Sequence, residues 1–576
     1  MTARPRWRAV GRDGEEIVIV EVAADLGELA RRRVPAHAWA TLVAEIEASA
    51  DDVPARWVWS DTTRWYQALL AAGVIVARCH DLRLSHAILR ASDLVTDAHD
   101  LRAAEEWDAP PSAPTTAAAP ALFDLGEASG RVGVPDDIDA VLAEFRREER
   151  AVAETSEPGR LRLLLAAESA GALLAEEMHA AGLPWSRAVH EEILERTLGA
   201  RPAPGTHAPR VQELAAAIRT ALGDPAASLD SQPKLLRSLH RVGVTAASTS
   251  RWELAEYDHP VIAPLLQYKK LTRLASANGW AWLDEWAGGG RFRPVYVPGG
   301  VVTGRWASSG GGALQLPRQL RAAVRADPGW TLVVADVAQL EPRVLAAMSG
   351  DTALADAARG RDLYEGIVAG GAVPTRADAK IAMLGAMYGA TTGDSGRLVP
   401  ALRRTYPRAM GLVDDAARAG EAGGTVRTWL GRTSPASSAD WRETQSRAGA
   451  PEATAADQSS ARRSARDRGR FTRNFVVQGT AAEWALAWLA DLRGALLAMP
   501  ETSPSSAAAA SGAAFSRRPH LCFFLHDEII VHTPTDQANE VAEAVARSAA
   551  NAATLLFGRF PIDFPLDLRI TDDAAK

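Results

Sequence analysis

At 576 residues, with 47% hydrophobic and 23% charged side chains, the chain has the composition of an ordinary globular protein and the length for several domains. A net charge of −7 excludes a globally basic nucleic-acid coat, although a local basic stripe would still serve an enzyme that handles DNA. Two cysteines, Cys79 and Cys522, exclude a disulfide framework and a zinc cluster; both are expected as small core hydrophobes in a reducing cytoplasm.

No apolar run approaches the roughly 20 residues that cross a bilayer. The opening MTARPRWRAVGRDGEE has no hydrophobic signal core, so a cytoplasmic protein with no membrane partner is expected. Residues 1–108 read as a small α/β unit. The β-branched runs IVIVEVA (17–23) and GVIVARC (73–79) read as buried strands, with helical patterns at 39–48 and 63–71. A Pro/Ala/Thr stretch, APPSAPTTAAAP, opens a linker and connecting helix over 109–155. Helical patterning dominates from Leu161, and Gly182 followed by Pro184 ends its first helix. The Ser/Ala/Pro-rich segments 433–461 and 501–519 lack a sustained hydrophobic period and are expected as flexible insertions. They bracket a strongly apolar helix within 470–498.

Five stretches carry chemistry. Thr331–Asp351 reads as a buried strand that delivers Asp336 at its end and turns into a helix at Leu340, a natural place to hold a metal ion. His526-Asp527-Glu528 lies between the strand-like runs LCFFL and IIVH, as acids at a hairpin tip. Two aspartates brought close together stay ionised only with cations between them. Seen alone, His-Asp-Glu would be a solvated turn.

Arg376, Lys380, Leu384 and Tyr388 recur every four residues and so share one helical face. Arg and Lys one turn apart suit a polyphosphate, and lysine is scarce here, at only five positions. Arg470, Asn474 and Gln478 repeat that spacing and present donors suited to minor-groove acceptors, with phosphate-seeking arginines beside them. Finally, Thr303-Gly304-Arg305-Trp306-Ala307-Ser308-Ser309, followed by Leu314-Gln315-Leu316-Pro317, is an irregular segment that permits close approach to a ligand backbone.

In this order, TGRWASS with LQLP, DVAQLEPR, RADAKIAMLGAMYG, NFVVQGTAAE and LHDE resemble the motif series of the family A DNA polymerases, the class of bacterial DNA polymerase I. Weaker similarity in SQPKLL (231–236) and YDHPVIAPLLQYKKL (257–271) extends the resemblance over roughly 160–576. It implies an α+β multidomain protein with a right-hand polymerase fold, preceded by a small α/β ribonuclease H-like exonuclease-type domain. The implied layout is a thumb with adjoining helices at 156–300, palm at 301–351 and 470–576, and fingers at 352–469.

It further implies template-directed addition of dNTPs to primer-template DNA by a monomer associated with the nucleoid. Asp336, Asp527 and the Val337 carbonyl would hold two Mg²⁺ ions, with Mn²⁺ as a substitute, and Glu528 would be a supporting acid. Arg376 and Lys380 match contacts to the triphosphate, Lys380 also as proton donor to pyrophosphate. Glu341 matches the steric gate against a ribose 2′-hydroxyl, with Gln339 beside it. Tyr388 matches the tyrosine near the templating base and His526 the histidine near the primer terminus. Arg305, Gln315, Arg470, Asn474 and Gln478 match contacts to the duplex.

Several positions depart from the family pattern. Val337 replaces an aromatic residue, Ala338 a serine and Pro342 a leucine, while Gly310-Gly311-Gly312 replaces a Pro-Asn segment. Leu384 stands where the family has Phe or Tyr, so weaker nucleotide binding or altered sugar discrimination is expected. At the N-terminus HDLRLSHAILR (80–90) is similar to the middle motif of the proofreading exonuclease. However, IVIVEVA offers only Glu21 in place of Asp-x-Glu, and no tyrosine occurs between Tyr66 and Tyr257. Asp81 alone cannot hold two metals, so a degenerate exonuclease fold is expected, with no 5′-nuclease domain before it. The alternative to a polymerase is a catalytically silent DNA-binding protein that keeps the polymerase fold; a 3′–5′ exonuclease is disfavoured by the missing carboxylates.

Overall fold

The computed structural model describes residues 4–49, 54–110, 133–390 and 393–575. Residues 111–132 of the expected linker lie outside the described residues. Contacts divide the chain into two units. One comprises residues 1–182, 295–310 and 328–571, and the other 183–294, 311–327 and 572–576.

The first unit contains two large sheets and a two-stranded ribbon of Val295–Val297 with Ala307–Gly310. The N-terminal one has five strands in the order Glu28–Pro35, Glu16–Val22, Trp7–Asp13, Arg56–Trp59, Cys79–Asp81. Its first three strands are antiparallel and its last two run parallel to Trp7–Asp13. Side chains alternate across the sheet. Ile17 and Ile19 join Trp39, Trp57 and Trp59 on one face, while Val18 and Val20 meet Ile138 and Phe145 of the helix Ile138–Ala153 on the other.

The strand expected at 73–79 is displaced: only Cys79 enters the ladder. Val76 and Ala77 give their carbonyls to the Arg493 guanidinium at 2.7 and 2.9 Å, and the Ala77 N–H goes to Glu47 at 2.9 Å. Their backbone groups are satisfied by buried side chains instead of a neighbouring strand. Both cysteines are buried free thiols, as expected.

The second sheet is wholly antiparallel, in the order His520–Leu525, Glu528–Pro534, Trp330–Val337, Leu566–Thr571. Trp330–Val337 is central, and its apolar residues Leu332, Val333, Val334 and Ala335 are all buried. The helix Ala538–Phe557 packs on it, while Leu340–Ser349, Arg376–Tyr388 and Pro407–Glu421 contribute to a separate core. The long helix Ala455–Leu497 spans both surface and core, with Trp484 and Trp488 buried in its second half.

The two segments expected as flexible insertions carry structure. Residues 433–461 contain the helix Ala439–Ala448, capped by Ser438, and the start of the long helix, whose capping box pairs Thr454 with Asp457. Within 501–519, Ala514 and Phe515 are buried in the core of the N-terminal sheet.

The second unit is helical, with Arg187–Leu198, Pro209–Leu222, Gln232–Arg241 and Ile262–Asn278 among its elements. Trp185, His190, Trp282 and Phe292 form its aromatic centre, with ring centroids 4.9–5.9 Å apart.

Candidate active site

The strand Trp330–Val337 ends in a tight turn through Gln339, whose backbone is left-handed at φ 50°. A non-glycine residue there is uncommon and costs on the order of 1 kcal/mol. Arg343, fully buried, holds the turn. Its Nε donates to the Ala338 carbonyl at 3.1 Å and its Nη2 to Gln339 Oε1 at 3.3 Å. Nη1 reaches the Ala358 carbonyl at 3.0 Å and Asp563 Oδ1 at 2.9 Å. Pro342 sits in the first turn of the following helix, where a missing N–H costs little.

The hairpin turn is equally constrained. His526 has φ 58°, and the Asp527 N–H closes back on the Leu525 carbonyl at 2.7 Å. The Val337 N–H donates to the Asp527 carbonyl at 2.9 Å, which ties the two turns together. Asp336 and Asp527 are thereby brought into repulsion. Burial, and then the Asp336 charge, push the Asp527 carboxyl up to about 6. Glu528, buried, stands opposite Asp336 in the ladder.

Among the described residues no group of three or more His, Cys, Asp or Glu side chains gathers as a ready metal cage. A carboxylate at a strand end and another in the neighbouring hairpin turn, the latter resisting ionisation through burial and the former's charge, nevertheless fit a hard divalent cation that completes its shell with water and substrate oxygens. Val337 has a buried side chain, so any contact it makes with a cation would come through its carbonyl.

Beside the pair lies a cavity of about 290 Å³, lined by Arg305, Glu341, Tyr364, Leu384, Tyr388 and His526 among others. Glu341 is held at both oxygens: Arg305 pairs with Oε1, and the Tyr388 hydroxyl donates to Oε2 at 2.8 Å. Burial and the Glu341 charge raise the Tyr388 hydroxyl well above its usual range, so it stays a donor. Burial, with Arg305 adding to it, lowers His526 and favours its neutral form.

The helix Arg376–Tyr388 carries its expected face outward. Arg376, Lys380 and Tyr388 are exposed and Leu384 half-buried, while Ala379, Ala382, Met383 and Ala386 fill the core behind. Lys380 makes no ion pair among the described residues, whereas Arg376 is bound to Asp362 Oδ2 at 2.7 Å. That oxygen also accepts from Gln339 Nε2 at 2.9 Å.

Asp362 and Tyr364 were not apparent from the sequence. Tyr364 carries Arg376 over its ring at 5.6 Å and lines the cavity beside Leu384. The signal available was DLY (362–364), an acid capping a short helix with an aromatic two residues on.

Of the expected duplex contacts, Gln478 accepts from the Thr303 hydroxyl at 3.0 Å, which joins the TGR segment to the long helix. Asn474 Oδ1 is buried without a partner, and Arg470 is exposed beside Gly389 and pairs with Asp467. Gln315 belongs to the second unit, in the turn Ala313–Gln315.

The chain matches the model of DNA polymerase family A over residues 207–571. It is 28% identical over 354 residues to the thermostable DNA polymerase I of Thermus filiformis, a match covering 57% of this chain and 38% of that one. To DNA polymerase I of Chloroflexus aurantiacus it is 28% identical over 341 residues, covering 54% and 32%. The chain thus spans about 38% of the first relative's length.

Its fold is similar to that of the POL domain of Pol1 from M. smegmatis, solved in complex with DNA primer-template and dNTP. The TM-score is 0.68 at 16% identity, covering 100% of this chain and 97% of that one. This likeness bears out the α+β polymerase fold expected from the motif order. On the strength of the family match, this chain belongs to DNA polymerase family A.

Proposed function

We propose that the chain is a template-directed DNA polymerase that extends a primer 3′-hydroxyl with dNTPs. The observation that carries this reading is the juxtaposition of Asp336 and Asp527 with a cavity lined by Glu341, Leu384 and Tyr388. The same helix that supplies the last two also carries Arg376 and Lys380 on its exposed face. A binding module would need no such convergence of acids, cations and a shaped cavity.

In this reading Asp336 and Asp527, with the Val337 carbonyl, hold the cations and Glu528 supports them. Divalent metal, two Mg²⁺ or in their place Mn²⁺, supplies Lewis-acid activation and charge neutralisation when bound. Lys380 and Arg376 bind the triphosphate, and Lys380 gives a proton to the departing pyrophosphate oxygen. For Arg376 this requires exchange of its Asp362 partner for phosphate. Glu341, fixed by Arg305 and Tyr388, occupies the space a ribose 2′-hydroxyl would enter, with Gln339 bracing the turn behind it. Leu384 contacts the incoming nucleotide, Tyr388 borders the templating base and His526 the primer end.

Arg305, Gln315, Arg470, Asn474 and Gln478 hold the duplex. Residues 156–300 act as thumb and adjoining helices, 352–469 as fingers, and 301–351 and 470–576 as palm, in a monomer that works on nucleoid DNA in the cytoplasm. Support for these roles comes from family membership, the order of motifs in this chain and the Pol1 domain, whose structure holds primer-template and dNTP. Primer extension with dNTPs and rNTPs tests the proposal. Incorporation of dNTPs that is lost in Asp336→Asn and Asp527→Asn upholds it. Tight primer-template binding without incorporation selects the silent DNA-binding protein instead.

A further inference from the structure

A second cavity, of about 510 Å³, opens in the N-terminal domain, at the edge where three parallel strands begin. Its rim brings together Arg4 and Arg6 before the strand Trp7–Asp13, Arg56 at the start of Arg56–Trp59, Arg78 just before Cys79–Asp81, and Arg162 from the helix Pro158–Ala181. Among the described residues Glu149 is the one carboxylate in the lining. His80 adds no charge at neutral pH, because burial holds its imidazole down to about 3 while Nε2 pairs with Glu148 at 2.6 Å.

Arg6, Arg56, Arg78 and Arg162 are weakly engaged. Arg56 donates to the Cys79 carbonyl at 3.3 Å, and Arg162 stands 3.7 Å from Glu149. Arg78 binds the Pro54 carbonyl, but its Nε is buried without a partner. Arg6 lies over the Trp7 ring at 4.6 Å. Burial first, and the charges of Arg78 and Arg6 after it, disfavour the Arg56 cation. Converging guanidinium groups with spare donors match phosphate oxygens, which they bind in forked pairs, and the volume falls within the range of small-ligand sites.

We propose that this cavity binds a phosphate-bearing ligand of nucleotide size through Arg6, Arg56 and Arg78. It is not a remnant of exonuclease chemistry. Asp81, the residue that resembles that motif, closes its strand at the opposite edge of the sheet and is spent on backbone N–H groups. The site does not rest on the polymerase reading.

Hydrogen exchange on the full chain tests it, with inorganic pyrophosphate, deoxyadenosine monophosphate and a short 5′-phosphorylated single strand as probes. Protection at residues 54–58 and 78–81 is expected, with affinity weakened about tenfold or more in Arg56→Gln, the loss of one charge-assisted hydrogen bond. Arg6→Gln, an exposed change that leaves folding and primer extension intact, should weaken it as well. Protection by the first two probes assigns a free phosphorylated metabolite, and protection by the strand alone assigns a nucleic-acid phosphate. No protection by any probe at millimolar concentration, or protection unaltered in both variants, overturns the site.

Discussion

Two sheets of this molecule each present an aspartate at the end of a strand, and the two acids have opposite surroundings. Asp81 is fully buried; its oxygens accept from the Thr62 N–H at 2.7 Å and the Leu84 N–H at 2.9 Å, and it caps the helix that follows. Asp336 is half-buried and faces Asp527, which lines a cavity. The same residue type in the same local setting caps a helix in one sheet and faces a second carboxylate in the other. What separates them is the partner set, which only the tertiary structure assembles.

The sharpest test of that contrast replaces the acids of each sheet in turn. Asp336→Asn or Asp527→Asn should lower primer extension by on the order of 10³-fold, the loss of several kcal/mol of transition-state stabilisation, with the melting temperature nearly unchanged. Asp81→Ala should do the reverse. Removing both backbone caps costs roughly 2–4 kcal/mol of stability, while extension per folded molecule stays within about twofold. Extension that survives both amide changes would remove the asymmetry between the sheets.

How much of this was legible in the sequence follows the range of the interactions. Strand-to-helix at Asp336, the hairpin at 525–528 and the outward face of Arg376–Tyr388 are set by local periodicity, and the structure shows all three. The Asp362 latch joins Arg376 and Gln339 across 14 and 23 residues, so no local pattern announces it. The helix Ala439–Ala448 buries none of its residues, so there was no apolar stripe to find. Glu28–Pro35 is an edge strand armoured with arginines, which reads as a charged loop. At 74–77 the apolar run was real, but Arg493 took the carbonyls that a strand would have used.

Buried arginines sharpen the comparison further. Arg493 ties Glu177 to the 76–77 backbone in the N-terminal region, and Arg343 ties the Gln339 turn to Asp563 beside the site. Either one changed to Met should cost about 3–5 kcal/mol, since each leaves buried acceptors without donors. Arg343→Met should also reduce extension by the molecules that remain folded, because it frees the turn that orients Asp336 and Glu341. Arg493→Met should not. Equal loss of specific activity in the two variants would contradict a purely architectural role for the first region.

A smaller effect concerns pH. Glu483, fully buried on the long helix, accepts from Thr428 and the Leu430 N–H and faces Arg432 and Glu168; burial pushes its carboxyl up to about 7. Because the folded carboxyl holds its proton more tightly than the ordinary 4.5, its contribution is complete below pH 4.5 and is lost as the pH rises through 7. Denaturant unfolding of wild type against Glu483→Gln should show the wild type losing on the order of 3 kcal/mol relative to the variant across that window. Parallel curves would show that the carboxyl is already ionised in the fold.

Leu384 gives the finest test, because it asks whether a departure from the family pattern is an uncompensated loss or a compensated exchange. Leu384→Phe restores a ring on the cavity wall, and an aromatic contact is worth about 1 kcal/mol, roughly a fivefold lower KM for dNTP in steady-state extension. Tyr364 already borders the same cavity and supports Arg376 with its ring face. If Tyr364 supplies the missing aromatic surface, Leu384→Phe will leave KM unchanged and Tyr364→Leu will raise it. Independent benefit from the ring at 384 would instead mean that this position drifted without compensation.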